Sequence, residues 1–234
     1  MTFAKLTRPL RLLLIAPPGG GKGTISSKLL KQHPEITSLS SGDLLRQEIK
    51  NQTSIGSQAT SLMQSGKLLP DQLVSDLVIK ELKTQNLLQG EKSWLLDGFP
   101  RTLAQAQILD SDLYKESSQI NMVIELKVPH SVILDRIENR WVHIPSGRIY
   151  NLTYSPPKVP GLDDVTGEPL SKRPDDNVEV FKQRLEQYEK TVGPLREFYG
   201  KQGVLNYIAG DSSDIIFPKV QKLIEECFGP DGKY

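Results

Sequence analysis

The fold is decided by the stretch Leu12-Leu13-Leu14-Ile15-Ala16-Pro17-Pro18-Gly19-Gly20-Gly21-Lys22-Gly23-Thr24, where an apolar run turns into glycines, a lysine and a threonine. The apolar run predicts a buried strand. The glycines leave the backbone free to take positive φ with no Cβ in the way, so successive N–H groups can point into one concavity. The segment that follows, Ser26 to Leu30, indicates a helix whose N-terminus favours an anion. The stretch therefore predicts a phosphate-binding loop, with Lys22 as a mobile charge for the outer phosphates.

A flexible turn with a solvated lysine is the alternative interpretation of the same residues. The order of strand, glycines, lysine, hydroxyl and helix favours the phosphate loop. The strict pattern G-x-x-x-x-G-K-[ST] is not met, because Ala16 stands at its first glycine and Gly23 at its hydroxyl position. A positive φ at Ala16 would be strained, but an extended backbone at a strand end is acceptable, so we expect an active site.

The composition bounds the class of protein. With 234 residues, 37% of them hydrophobic and 24% charged, the chain is long enough to bury one substantial core and to carry a smaller appendage. A formal net charge of +1 provides no global field, so we expect neither a nucleic-acid nor a membrane partner. Cys227 is the only cysteine, which excludes an intramolecular disulfide and favours a reducing compartment. No apolar stretch approaches the roughly 20 residues that span a bilayer.

The N-terminal residues bear on localisation. The first acidic residue is Glu35, and Lys5, Arg8 and Arg11 precede it. A basic, acid-poor beginning suits a mitochondrial targeting segment, and a short tail on a cytoplasmic protein is the alternative.

Short helices follow the loop helix. Ser40, Ser41 or Asp43 could cap the first of them, and a second is predicted from Ser54 to Gln64. A third carries Leu73, Leu77, Val78 and Leu82 at helical spacing. The first two, with their polar joints, indicate a small helical module inserted after the first strand–helix unit.

The next strand, Ser93 to Leu96, ends in Asp97-Gly98-Phe99-Pro100-Arg101-Thr102. A carboxylate at the carboxyl end of a buried parallel strand stands where such sheets bind ligands, so Asp97 is a candidate for the water shell of Mg²⁺. Gly98 and Pro100 make a rigid turn that aims Arg101 at the same crevice. A plain turn with a solvated Asp and Arg is the alternative.

Strand and helix continue to alternate. The segment Met122 to Leu126 predicts a strand and Ser131 to Asn139 a helix, while Val204 to Ile208 and Ser213 to Phe228 predict a last strand and helix. This alternation favours a parallel sheet with helices on both faces.

The segment from Trp141 to Pro174 is rich in proline and glycine and predicts a small β-rich lid. Its two arms could be joined by hydrogen bonds among His143, Ser146, Asp163 and Thr166; a zinc site without thiolates and plain surface polarity are the alternatives. A long helix, Asn177 to Tyr199, follows and carries Arg184, which we expect to converge with Arg173.

Four motifs identify a resemblance that covers nearly the whole chain. They are Ser40-Ser-Gly-Asp-Leu-Leu-Arg46, Leu95-Leu-Asp-Gly-Phe-Pro-Arg-Thr102, Asp135-Arg-Ile-x-x-Arg140 and Arg173-x-Asp-Asp176. With the loop, which is similar to Gly-x-Pro-Gly-x-Gly-Lys-Gly-Thr, they resemble adenylate kinases of the long-lid type. The segments Arg140 to His143 and Pro145 to Asn151 are especially similar to the group of mitochondrial GTP:AMP phosphotransferases, the adenylate kinase 3 group.

The resemblance implies an α/β fold of the P-loop NTPase type, with an inserted helical AMP-binding module and a β-rich lid. The implied core comprises residues 1–39, 70–138 and 177–234, the module 40–69 and the lid 139–176. The implied activity is GTP + AMP = GDP + ADP in the mitochondrial matrix, by a monomer that uses Mg²⁺. An ATP:AMP phosphotransferase and a weakly active nucleotide-binding protein are the alternatives.

The resemblance also implies site residues, position by position. Those for AMP are Ser41, Arg46, Lys67, Leu68, Leu69, Gly98, Phe99, Pro100, Arg101, Gln105, Arg173 and Arg184. Those for the triphosphate are Gly19, Gly20, Gly21, Lys22, Gly23, Thr24, Arg140, Ile149, Tyr150 and Ser212. Those around the transferring group are Lys22, Arg101, Arg136, Arg140, Arg173 and Arg184, and Asp97 and Asp43 hold Mg²⁺ through water. This inventory suits phosphoryl transfer, which needs fixed positive charge and exclusion of water rather than a nucleophile.

Overall fold

A computed structural model describes residues 5–90, 92–153, 155–172 and 178–232 of the chain. Arg173, which was predicted to surround the transferring group, lies outside the described residues, as does Asn177 at the predicted start of the long helix.

The described residues form seven strands and eight helices. The strands are β1 (Arg11–Ile15), β2 (Ile36–Ser40), β3 (Ser93–Asp97), β4 (Met122–Lys127), β5 (Arg140–Val142), β6 (Ile149–Asn151) and β7 (Leu205–Ala209). The helices are α1 (Lys22–Gln32), α2 (Ser41–Lys50), α3 (Ser54–Gln64), α4 (Asp71–Thr84), α5 (Leu103–Lys115), α6 (His130–Glu138), α7 (Val178–Lys201) and α8 (Ser213–Phe228).

Five strands form a parallel sheet in the order β2-β3-β1-β4-β7. Successive side chains of a strand point to opposite faces, so Leu13 and Ile15 of β1 join one apolar cluster and Leu12 and Leu14 join the other. The first cluster includes side chains of α4, α5 and α7, and the second includes those of α1, α6 and α8. Both faces are therefore covered by helices, which confirms the predicted fold class.

Strand β2 was not predicted from the sequence. It lies at the edge of the sheet, and only Ile36 and Leu39 among its five residues are buried, which gives no continuous apolar run. Helix α1 begins at Lys22 rather than at Ser26, because the glycine-rich loop leads into the helix without a side-chain cap.

The lid contains the antiparallel pair β5–β6, and Val142 also bridges to Ser171. The predicted hydrogen bonds within it are confirmed. Between the arms, Thr166 Oγ1 lies 3.4 Å from His143 Nε2. Within the arms, His143 Nδ1 lies 2.7 Å from Ser146 Oγ, and Thr166 Oγ1 donates to Asp163 Oδ1 at 2.9 Å. The sequence analysis missed two members: Glu168 Oε2 lies 2.6 Å from His143 Nε2, and Arg148 Nε donates to Asp163 Oδ2 at 2.7 Å.

The described residues contain neither a cluster of metal-binding side chains nor a helix suited to a membrane. No group of three or more His, Cys, Asp or Glu side chains there could hold a metal ion. Within the same ranges, no helix combines the length and the apolar character that crossing a membrane requires.

Candidate active site

The loop between β1 and α1 has the backbone geometry that an anion site requires. Gly19 and Gly21 have φ values of 73° and 86°, in the left-handed region that favours glycine. A Cβ at Gly19 would lie 2.9 Å from Ile133 Cγ2, so the position also lacks room for a side chain. Gly21 caps α1 with no side-chain hydrogen bond, and the first turn of the helix contains no acidic residue. The N-terminus of α1 is therefore suited to phosphate.

The two departures from the expected loop sequence are accommodated. Among the described residues, the non-glycine positions with positive φ are Gln52, Asn86 and Ser117, so Ala16 avoids the strained region as expected. A Cβ at Gly20 would lie 2.9 Å from both Ala16 Cβ and the Pro17 carbonyl oxygen. Gly20 N–H donates to that same oxygen at 2.9 Å. Glycine at position 20 thus makes room for the methyl group at position 16.

The Lys22 ammonium folds back over the loop. Its Nζ donates to the Ala16 carbonyl oxygen at 2.9 Å and lies 3.4 Å from that of Pro17. Burial lowers the pKa of Lys22 to about 8; Asp97 opposes this shift, and Arg101, Arg184 and Arg140 add to it. Lys22 therefore lies in a cationic environment.

A large cleft opens at the carboxyl ends of the strands. Asp97, the last residue of β3, pairs in register with Leu14 of β1 and Ser40 of β2. Many predicted residues line this cleft together: Gly19, Gly20, Gly21, Lys22, Gly23, Thr24, Asp43, Arg46, Asp97, Gly98, Arg101, Arg136, Arg140, Ile149 and Arg184. Arg46 Nη2 is paired with Asp43 Oδ1. The structure thus brings the loop, two carboxylates and five predicted arginines to one cleft.

A second cavity, with about 580 Å³ of empty space, adjoins the helical module. Its lining contains most of the residues predicted for AMP: Ser41, Arg46, Lys67, Leu68, Leu69, Gly98, Arg101, Gln105 and Arg184. Ser41 Oγ and Arg101 Nε both donate to the Gly98 carbonyl oxygen, each at 2.7 Å. The sequence analysis missed the apolar wall formed by Leu45, Met63 and Val74. Helical periodicity could have found Leu45, because Leu45 and Ile49 stand four residues apart in the same helix.

A third cavity, with about 620 Å³ of empty space, is lined by Lys22, Gly98, Pro100, Arg101 and Arg184 together with residues of α7. Arg101 and Arg184 line all three cavities. They therefore lie where the loop cleft and the cavity of the helical module meet.

Three predicted residues have different surroundings from those expected. Phe99 is 2% exposed and packs in the apolar core, so its side chain does not line the AMP cavity. Tyr150 is buried in the lid, where its hydroxyl donates to Asp163 Oδ2 at 2.9 Å and accepts from Asp164 N–H at 2.8 Å. Packing holds the side chain of Phe99 and lid hydrogen bonds hold that of Tyr150, and a ligand contact at either residue stays a prediction. Ser212 caps α8 by accepting from Ile215 N–H.

The segment around Ser212 nevertheless adjoins the glycine loop. Arg136 Nη2 donates to the Asp211 carbonyl oxygen at 2.8 Å. The Cβ position at Gly21 lies 3.2 Å from Arg136 Nη1 and 3.5 Å from Ser213 Oγ. The residues before α8 therefore flank the proposed triphosphate end of the cleft through Arg136.

The glycine loop lies at the carboxyl edge of the parallel sheet, where its cleft meets the cavity of the helical module. This arrangement defines a nucleotide-binding α/β protein of the P-loop class. The profile of one family, described as adenylate kinase, matches residues 14–204. The chain belongs to the adenylate kinase family.

Relatives in the same family extend over nearly the whole chain. A Saccharomyces cerevisiae protein named "GTP:AMP phosphotransferase, mitochondrial" is 57% identical over 224 residues, which are 96% of each chain. A Drosophila melanogaster protein of the same name is 42% identical over 220 residues, 94% of this chain and 97% of the relative. "Adenylate kinase 4" of Oryza sativa subsp. japonica is 40% identical over 215 residues, covering 92% and 87%. The predicted family and enzyme class are confirmed.

Proposed function

We propose that the protein transfers the γ-phosphoryl group of GTP to AMP, giving GDP and ADP. The observation that carries the proposal is that Arg101 and Arg184 line both the cleft of the glycine loop and the cavity of the helical module. Two nucleotides bound there would have their phosphates directed at the same pair of guanidinium groups. The names of the yeast and fly relatives support GTP as donor and AMP as acceptor.

The residues present suit this reaction because its catalyst needs preorganised positive charge. Backbone N–H groups of the glycine loop and the Lys22 ammonium would hold the donor phosphates. Arg46 and Arg101 would hold the phosphate of AMP, and Arg136, Arg140 and Arg184 would stabilise the charge on the group in transfer. The lid and the helical module would exclude water, which would otherwise divert the group to hydrolysis.

Mg²⁺ is the proposed cofactor, with Asp97 and Asp43 holding it through water. The two carboxylates fit this role because they line the same cleft as the loop, and Mg²⁺ is commonly bound by one or two carboxylates, waters and substrate phosphates. The ion would neutralise charge on the donor phosphates.

The test is phosphorylation of AMP with GTP, ATP or ITP at matched concentrations, with magnesium. We expect GTP to give the highest rate; an equal or higher rate with ATP would refute the proposed donor. Lys22→Ala should abolish most activity with every donor, since it removes the charge shared by all triphosphates. Arg101→Ala should raise the KM for AMP, and an unchanged dependence on AMP would contradict the acceptor site.

We also propose that the protein acts as a monomer in the mitochondrial matrix. Residues of one chain line both proposed nucleotide sites, and the yeast and fly relatives carry "mitochondrial" in their names. Light scattering of the purified protein tests the first statement and imaging of the tagged full chain tests the second. The domain limits 1–39, 70–138 and 177–234 for the core, 40–69 for the module and 139–176 for the lid remain a proposal, which limited proteolysis tests.

A further inference from the structure

One side chain of the AMP cavity is held at both ends of its amide group. Gln105, in the first turn of α5, is 1% exposed and lines the cavity. Its Oε1 accepts a hydrogen bond from the backbone N–H of Arg101 at 2.7 Å. Its Nε2 donates to Asp71 Oδ1 at 2.9 Å, and the same oxygen accepts from Thr102 Oγ1 at 2.8 Å. Asp71 is the first residue of α4, which follows the helical module.

These contacts allow only one orientation of the Gln105 amide. A backbone N–H can only donate and a carboxylate can only accept, so oxygen must face Arg101 and nitrogen must face Asp71. A flipped amide would place two donors together at one end and two acceptors together at the other. In a buried position each mismatch carries the cost of an unsatisfied polar group. Asp71 and the Arg101 N–H therefore together fix which end of the amide donates.

The fixed amide presents a defined pattern to the cavity. After the two contacts, Nε2 keeps one hydrogen and Oε1 keeps one lone pair. The N1 and N6 edge of adenine offers an acceptor and a donor, which is the complement of this pair. A 6-oxopurine such as hypoxanthine or guanine offers the opposite, a donor at N1 and an acceptor at O6. Because Arg46 and Arg101 line the same cavity and would anchor the phosphate, the base could not turn over to restore the match.

We propose that Asp71 is a positioning residue that orients Gln105 so that the acceptor site takes a 6-aminopurine and rejects 6-oxopurines. This inference rests on the proposed function, because it takes AMP as the acceptor. Asp71 touches no substrate in this arrangement. Its effect passes through the Gln105 amide, and the loss of that effect should change the choice of base rather than the strength of binding alone.

The experiment measures dissociation constants for AMP and IMP by calorimetry on the full-length native protein and on three variants. In Asp71→Ala one of the two mismatches that oppose a flipped amide is removed, so the preference for AMP over IMP should fall by about tenfold. In Asp71→Asn the preference should remain, because Oδ1 can still accept both hydrogen bonds. Asp76→Ala is the matched control; Asp76 is an exposed acid of the same helix bonded to Gln72 at 2.8 Å, and the variant should behave as the native protein.

Equal weakening of AMP and IMP in Asp71→Ala, or no change in either, would overturn the inference. If this variant does not fold, as circular dichroism would show, Asp71→Ser provides the same test. Serine is well tolerated at a helix N-terminus, and its short hydroxyl, which donates as well as accepts, no longer opposes a flipped amide as the carboxylate does. A native protein that fails to phosphorylate AMP would refute the proposed function, whereas an active one whose base preference survives both substitutions would refute only the role of Asp71.

Discussion

The methyl group of Ala16 and the absence of one at Gly20 form a compensating pair in the phosphate loop. A Cβ at Gly20 would lie 2.9 Å from Ala16 Cβ, closer than carbon atoms pack. We predict that Gly20→Ala raises the KM for the triphosphate by about tenfold, because the loop must shift to relieve this contact. The double variant Ala16→Gly, Gly20→Ala should recover part of the loss, because the contact of the new Cβ with the Pro17 carbonyl oxygen at 2.9 Å remains.

Steady-state kinetics with saturating AMP measure the KM for the triphosphate in the single and double variants. Gly193→Ala is the control, since no atom lies within 4 Å of a Cβ built at that glycine and its φ is not positive. A double variant no better than Gly20→Ala alone would show that the two positions are not coupled.

Lys22 gives the phosphate loop a dependence on pH. Its pKa of about 8 means that above this pH most ligand-free molecules carry a neutral lysine. Bound phosphates favour the ammonium and raise its pKa, so binding takes up a proton and the affinity for triphosphate falls as the pH rises above about 8. At a pH above about 8 the native protein should therefore take up a fraction of a proton that grows with pH when it binds triphosphate.

Calorimetry in buffers of different ionisation enthalpy measures this uptake. Lys22→Arg stays charged throughout the range and should show almost none. Binding of triphosphate to the native protein without proton uptake above a pH of about 8 would contradict the assignment of Lys22.

Among the helices and strands, those with a complete local signal were predicted closely. Helix α3 has the predicted bounds, Ser54 to Gln64, because Thr53 caps its start and Ser65-Gly66 ends it. Helix α8 likewise begins after its cap at Ser212. Strand β2 lacks such a signal, since its register comes from pairing with β3. Contacts between residues far apart in the sequence were harder to predict. Arg148 in the lid is an example, because nothing near it in the sequence indicates Asp163 as its partner.

The lid depends on one buried carboxylate that connects its two arms. Asp163 accepts hydrogen bonds from Arg148, Tyr150 and Thr166. The guanidinium of Arg148 holds the pKa of Asp163 well below its usual range. The carboxylate therefore contributes its full stability at every pH above the pKa of aspartate in the unfolded chain, which is about 4. This contribution is lost as the pH falls through the lowered pKa of the folded state.

We predict that Asp163→Asn opens the lid at neutral pH while the sheet remains folded. Arg148 would lose its charged partner, and one amide cannot accept all of these bonds. Limited proteolysis should cut between residues 139 and 172 about tenfold faster than in the native protein. Asp164→Asn is the control in the same lid, because its amide oxygen can still accept from Lys158 N–H. Equal cleavage rates in both variants would contradict a central role for Asp163.

In the molecule as a whole, an ion pair with a buried carboxylate joins the sheet to α7. Glu125 of β4 is 1% exposed and adjoins Ile15 in register, at the beginning of the phosphate loop. Arg196 Nε donates to Glu125 Oε2 at 2.7 Å, and Tyr188 Oη donates to Oε1 at 3.3 Å. The same helix carries Arg184, one turn before Tyr188. The pair therefore fixes the helix that carries a proposed catalytic arginine against the strand beside the loop.

We predict that Arg196→Met lowers the free energy of unfolding by about 3 kcal/mol, because it leaves the Glu125 carboxylate buried and uncompensated. Urea denaturation near pH 7 measures this loss. Lys201→Met breaks the exposed pair with Glu197 on the same helix and should change stability by less than about 0.5 kcal/mol. In the double variant Glu125→Gln, Arg196→Met the buried charge is gone, so much of the stability should return. A double variant less stable than Arg196→Met alone would show that the arginine acts through packing of its stem rather than through the carboxylate.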